Sequence, residues 1–186
     1  MNRFTVQGLP LPGLQRITRQ RLGDNRGFLT RVFCADELSA AGWHKPIAQV
    51  NHTATARKGT VRGLHFQLQP HTEMKLVSCL RGEVWDVAVD LRAGSPTFLQ
   101  WHAEHLSAGN GHALLIPEGF AHGFQTLTNE VEMLYGHSTA YVAQAERGLH
   151  PLDRALGIAW PLAITELSDR DATHPEINTQ FQGIQI

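Results

Sequence analysis

The sequence predicts an all-β protein carrying a few short peripheral helices. Two observations lead there. From the middle of the chain onward, short β-prone runs alternate with clusters of turn residues, the spacing of a β-sandwich or barrel. Helix-period segments are scarce: "ADELSAAG" (Ala35 to Gly42) fits a short helix, with Asp36 near its start and Gly42 as a stop. The runs then follow in order. "VRGLHFQ" is β-prone but carries an arginine and a histidine. "KLVSCL" ends at Arg81-Gly82 and "EVWDVAVDLR" follows, a hairpin signal. In that second run Trp85, Val87, Val89 and Leu91 share one parity and read as the buried face. "SPTFLQWHAEHL" stops at the turn cluster "SAGNG". "HALLIPEGFAHGFQTL" is interrupted at Pro117 to Gly119, giving two strands joined by a bend. "EVEMLYGHSTAYV" alternates again, with Val131, Met133 and Tyr135 on one side and Glu130 and Glu132 on the other. The last forty or so residues read as loops and short helical turns packed on the barrel.

Bulk composition narrows the function classes. The 186 residues are 42% hydrophobic and 18% charged, enough for one domain, 1–186, with its own core. A net charge of −1 advertises neither a nucleic-acid nor a membrane surface, although a local pocket can still bind an anion. Cys34 and Cys79 stand alone without CxxC spacing, against a disulfide scaffold or zinc ribbon. With no apolar leader region and no run of 18 apolar residues, a cytoplasmic protein is expected.

The most specific local pattern is "GHALLIPEGFAHGF", Gly111 to Phe124, of the form G-x5-P-x-G-x2-H. It resembles the second motif of the cupins, double-stranded β-helix (jelly-roll) barrels. Pro117 and Gly119 bend the chain so that His122 points into the barrel mouth. Many cupins hold a divalent metal through an H-x-H pair, a glutamate and this later histidine. Here the first motif reads His65-Phe66-Gln67, and an amide is a poor substitute for imidazole at a transition metal. Glu73 with His65 and His122 leaves a sparse ligand set, so no metal and no other cofactor is expected.

Without a metal, the residue types suit proton transfer. Imidazole takes a proton near neutral pH without large tuning, which fits His65 as a base. Tyr135, on an inward parity, is a plausible acid, Lys75 a cation for an oxyanion or enolate, and Arg62 a fork for phosphate or carboxylate. Singly, each has a bland alternative as core tyrosine or edge charge. Arg62 and His65 have opposite parity, so both reach one pocket only if the strand bulges, and Gly63 is where it would.

The ordered set "GDNRGF", "QVNHT", "VRGLHFQ", "MKLVSCLRGEVWDVAVDLRAGSPTF", "LLIPEGFAHGF", "LYGHSTAY", "AERGL" and "LGIAWP" resembles the dTDP-4-dehydrorhamnose 3,5-epimerase family from about Gly23 to Asp171. That resemblance implies a homodimeric, metal-free jelly-roll cupin acting on a nucleotide-linked 4-keto-6-deoxy sugar. It implies His65 as the base, Asp171 as the carboxylate orienting it, Tyr135 as the acid on the opposite face, and Lys75 beside the enolate. It further implies that Arg62 and His122 hold the nucleotide sugar, with Arg26, Gln49, Asn51 and Glu146 at other nucleotide-binding positions. Three positions depart from the family pattern: Arg31 for a glutamate near the base, Gly136 for a lysine, and Ala140 for a tyrosine. "QPHTEMK" also replaces the usual small-residue approach to the lysine. The departures leave the base open among thymidine, cytidine and guanosine. The alternatives are a 3,4-ketoisomerase of the same fold, a metal-dependent cupin isomerase or oxygenase, and a non-catalytic sugar-binding cupin.

Overall fold

The computed structural model describes residues 2–186. In chain order the elements are β1 (Phe4–Gly8), β2 (Gln15–Arg19), β3 (Arg21–Asp24), β4 (Gly27–Thr30), α1 (Ala35–Ser39), β5 (Gln49–Thr55), β6 (Val61–Gln67), β7 (Lys75–Arg81), β8 (Glu83–Asp90), β9 (Trp101–Ser107), β10 (His112–Ile116), β11 (Phe120–Thr126), β12 (Val131–His137), β13 (Glu146–Gly148) and α2 (Asp169–Ala172). Two antiparallel sheets face each other, ordered β1-β2-β10-β7-β12-β5 and β13-β6-β11-β8-β9, while β3 and β4 form a separate hairpin. This is the expected all-β jelly roll. No helix among the described residues is long and apolar enough to cross a membrane.

Three apolar clusters show why both faces of most strands are filled. Between the sheets lie Val77, Leu114, Val131 and Met133 of one and Val84, Ala88, Phe120 and Phe124 of the other. Outside the first sheet, Ile17, Leu76 and Leu115 pack under Leu38 and Trp43 of the α1 segment. Outside the second, Leu64, Phe66, Val87 and Val89 pack under Leu149, Leu156 and Ile184. The predicted parity of β12 is therefore correct. Trp85, Val87 and Val89 of β8, and Leu91 just after it, do face apolar surroundings, but on the outside of the barrel, beneath the C-terminal segment. The intervening Val84, Asp86 and Ala88 are also fully buried. A strand covered on both sides carries no single buried parity.

The hairpin expected across Arg81-Gly82 does not form. β7 pairs with β10 and β12, and β8 with β11 and β9, so Gly82 turns the chain from one sheet to the other. Its φ is +74°, and a Cβ there would sit 2.5 Å from Thr128 Oγ1. The Pro117–Gly119 bend makes the same crossing between β10 and β11.

At the end of β8, Asp90 organises the loop to β9. It accepts bonds from Arg92 Nε (2.9 Å), Ser95 Oγ (2.6 Å) and Thr97 Oγ1 (2.7 Å). Burial opposes its ionisation, but these donors hold the carboxyl down at about 2. Because the folded value lies below the ordinary one, the stabilisation is complete above about pH 4 and is lost as pH falls through 2. Asp90→Asn is expected to cost about 1–2 kcal/mol at pH 7, allowing for solvent screening, with the gap closing in acid. Thermal melts across pH 2–7 measure it; a pH-independent difference would rule out the charge as its origin.

Candidate active site

The mouth between the sheets is a cavity of about 1040 Å³. One wall is built by β6. In its pairing with β11, His65 aligns with His122 but Arg62 aligns with Phe124, so β6 spends one extra residue there. That is the bulge expected at Gly63, whose φ is +120°. It brings both Arg62 and His65 to the cavity. His65 Nε2 lies 2.7 Å from Asp171 Oδ1. Asp171 comes from α2, where its backbone N–H donates to the Ser168 Oγ N-cap at 3.1 Å, and its Oδ2 accepts from Gly63 N at 3.1 Å. Burial works to raise this carboxyl, but His65 and the Gly63 amide outweigh it and hold it below the ordinary range. A charged Asp171 on Nε2 leaves Nδ1 of His65 as the nitrogen for other chemistry, and the side chain is 31% exposed, so it is reachable.

The facing wall follows from strand register. β12 pairs His137 with Gln49 and Lys75, and Tyr135 with Asn51 and Val77. Residues directly opposite share a face, so Gln49, His137 and Lys75 form one row and Asn51 and Tyr135 the next. Lys75 Nζ donates to His65 O at 3.1 Å and meets Glu73 Oε1 at 3.2 Å. The Tyr135 hydroxyl is 3.4 Å from Thr53 Oγ1. Burial, with a smaller contribution from Asp86, pushes its phenol well above the ordinary value, so it stays protonated and is a proton donor. Deeper in, His122 Nε2 is 3.0 Å from both oxygens of Asp86, whose carboxyl burial raises and His122 pulls back. Arg62 Nε donates to Thr55 Oγ1 at 2.9 Å.

His65, Asp171, Tyr135, Lys75, Arg62, His122, Gln49, Asn51 and Glu146 thus line one cavity. Arg26 and Arg31 do not. Arg26 pairs with Asp24 within the β3–β4 hairpin, and Arg31 pairs with Glu37. Glu146 is already engaged, by Arg170 and by the Tyr141 hydroxyl at 2.7 Å. Burial would raise its carboxyl, and those two partners bring it below the ordinary value.

Gln67 has a structural occupation. Its Oε1 accepts from Val142 N at 2.7 Å, and its Nε2 faces His71 O, Glu73 Oε2 and Ala140 O. The sparse ligand set of Glu73, His65 and His122 is not grouped either, since Glu73 is taken up by Lys75 and His137, and His122 by Asp86. Among the described residues, the one trio with ligand atoms within 4.8 Å of one another is His65, Asp171 and His174, the base-like pair and its neighbour.

Sequence reasoning missed three side chains. Tyr141, next to the Ala140 that marks a missing aromatic, supplies an aromatic to the cavity. Arg170 lies beside Asp171 and neutralises Glu146. His137 pairs through Nδ1 with Glu73 Oε2 at 2.9 Å. The first could have been found because Tyr141 directly follows the position of the missing aromatic; the others depend on tertiary pairing.

Fold and cavity together define a class: a jelly-roll isomerase that moves protons at carbon, with an oriented imidazole on one wall and a phenol and an ammonium on the other. A family model described as dTDP-4-dehydrorhamnose 3,5-epimerase matches residues 8–179. The chain belongs to the dTDP-4-dehydrorhamnose 3,5-epimerase family. A Sinorhizobium fredii protein of that name is 40% identical, covering 100% of this chain and 97% of its own. A Streptomyces niveus relative named dTDP-4-dehydrorhamnose 3-epimerase is 38% identical over 89% of this chain and 80% of its own. Among solved structures, an epimerase from Legionella pneumophila in complex with dTDP-4-keto-L-rhamnose superposes with a TM-score of 0.91 at 37% identity, covering 98% of this chain and 99% of that one.

Proposed function

We propose that this protein epimerises a nucleotide-linked 4-keto-6-deoxy sugar at C3, C5 or both, in deoxysugar biosynthesis. The observation that carries the reading is the His65–Asp171 pair on one cavity wall facing Tyr135 on the other. The C4 ketone acidifies the hydrogens at C3 and C5. His65 takes one of them as the base, with Asp171 holding its ring and balancing the imidazolium charge that forms. Lys75 stabilises the enolate, and Tyr135 delivers a proton to the opposite face, inverting the centre. Arg62 and His122 hold the diphosphate-sugar. Glu146, Gln49 and Asn51 line the nucleotide side. The test is incubation in D₂O with dTDP-, CDP- and GDP-linked 4-keto-6-deoxy sugars, followed by NMR. Deuterium is expected at C3, C5 or both, and the handle that works identifies the base. No uptake from any of the three would overturn the reading.

The working form in this reading is a cytoplasmic homodimer. Cys34 and Cys79 are both free thiols, as a reducing compartment favours. β5 is an open sheet edge, and Phe28 and Leu29 of the β3–β4 hairpin are 60% and 67% exposed. A second copy laying that hairpin along β5 would cover both and bring Arg26 and Arg31 toward the neighbouring cavity beside Gln49 and Asn51. Leu29→Asp is expected to shift the protein from dimer to monomer in sedimentation and to weaken nucleotide-sugar binding by about tenfold or more. An unchanged dimer with unchanged binding would refute this arrangement.

A further inference from the structure

A chain of hydrogen bonds runs along the six-stranded wall and fixes the state of one histidine that the mechanism above leaves idle. Tyr141 N donates to Gln49 Oε1 at 2.9 Å, so the Gln49 amide must present its NH₂ onward, to Asn51 Oδ1 at 3.0 Å. Asn51 in turn directs its own NH₂ at His137 Nε2, 3.4 Å away. From the other end, Glu73 Oε2 can only accept, and it takes the hydrogen of His137 Nδ1 at 2.9 Å. Both ends dictate one tautomer, with the hydrogen on Nδ1 and a lone pair on Nε2. The Asn51 contact is long, so a shorter, better donor can displace it.

The position of that lone pair matters. His137 is the direct cross-strand neighbour of Lys75, on the same face, and its ring stacks on Tyr135 at 6.2 Å between centroids. Glu73 bridges the two, with Oε1 on Lys75 and Oε2 on His137. A cationic donor and a neutral acceptor therefore stand side by side on the cavity wall. That pair complements an α-hydroxy ketone, whose carbonyl oxygen accepts and whose adjacent hydroxyl donates.

We propose that His137 Nε2 accepts a hydrogen bond from the C3 hydroxyl of the substrate while Lys75 takes the C4 oxygen. His137 is thereby a specificity-determining residue that selects sugars with a hydroxyl next to the ketone over 3-deoxy sugars. This rests on the proposed function for the identity of the substrate. Sequence alone gives no hint of it, because Glu73 and His137 meet only through the β7–β12 register.

The test pairs two substrates with two variants. The substrates are the accepted nucleotide-linked 4-keto-6-deoxyhexose and its 3-deoxy analogue. Deuterium uptake at C3 or C5, both α to the ketone in either sugar, gives kcat/KM, and calorimetry gives binding. Wild type is expected to favour the 3-hydroxy sugar by about tenfold, the worth of one buried hydrogen bond. His137→Phe keeps a ring against Tyr135 and should lose that discrimination, treating both sugars within about twofold of each other. His137→Gln, which retains an acceptor, should keep part of it. Equal handling of both sugars by wild type, or discrimination persisting in His137→Phe, would overturn the proposal. The two readings fail separately. If wild type exchanges neither the C3 nor the C5 hydrogen yet binds the 3-hydroxy sugar preferentially in a His137-dependent way, the epimerase reading falls and the contact stands. If exchange is brisk on both sugars, the contact falls and the epimerase reading stands.

Discussion

His65→Ala is expected to reduce deuterium exchange at C3, C5 or both, whichever wild type exchanges, by about a thousandfold or more, the range lost when a positioned base is removed. The fold should survive, because the imidazole stands at the cavity surface and Asp171 keeps its bonds to Gly63 N and its place at the Ser168 cap. Circular dichroism with the NMR exchange assay separates the two effects. A variant exchanging within tenfold of wild type would remove His65 as the base. Asp171→Asn sharpens the point. An amide can offer N–H to His65 Nε2, which forces the ring hydrogen onto Nδ1 and leaves no lone pair toward the substrate. A loss of about a hundredfold or more is expected with little change in KM. Because the Asp171 carboxyl is held below its ordinary value, its contribution is present at and above the normal carboxylate range and disappears only as pH falls through the depressed value. An acid limb near neutrality should therefore not come from Asp171.

Gly63→Ala is expected to cost about 3–5 kcal/mol, combining strain at a positive φ with overpacking. A Cβ there would lie 2.5 Å from Gly123 Cα and 2.8 Å from His122 O, and these backbone atoms cannot step aside as a flexible side chain can. The bulge that this glycine permits also brings Arg62 and His65 to one cavity. Folded material that remains should therefore show impaired binding as well as impaired exchange. Urea denaturation measures the first, and calorimetry with the nucleotide sugar the second. A loss under 1 kcal/mol with intact binding would show that β6 does not need its glycine.

The parts of the site written into neighbouring residues were legible in the sequence. The bulge followed from the opposed parity of Arg62 and His65 around a glycine, and the inward set Val131, Met133, Tyr135 from simple alternation. The G-x5-P-x-G-x2-H spacing placed His122 because the bend and the histidine lie within one short stretch. What depended on which strand lies beside which was not legible. Arg81-Gly82 has the composition of a hairpin turn, yet its strands part to different sheets because β7 is taken by β10 and β12. Alternation makes Trp85, Val87, Val89 and Leu91 the buried face, whereas β8 is covered on both faces once the C-terminal segment folds over it. Glu73 read as a spare metal ligand until its partner His137, 64 residues away, came alongside. The resemblance implies a nucleotide-binding position at Arg26 and puts Arg31 where the family has a glutamate near the base, yet Arg26 on the β3–β4 hairpin and Arg31 just after it both lie outside the cavity, a separation that no linear spacing encodes.

The C-terminal origin of α2 has a consequence for how the protein comes into being. His65 and Asp171 are 106 residues apart, and every strand of the barrel is synthesised before Asp171. A ribosome adding roughly 5–20 residues each second delivers the imidazole several seconds before the carboxylate it pairs with. The nascent barrel can close its interior with an imidazole still free to rotate. The contact between the two is therefore made only once the segment carrying Asp171 docks, so a molecule cut short before Ser168 would lack the carboxylate that holds the His65 ring.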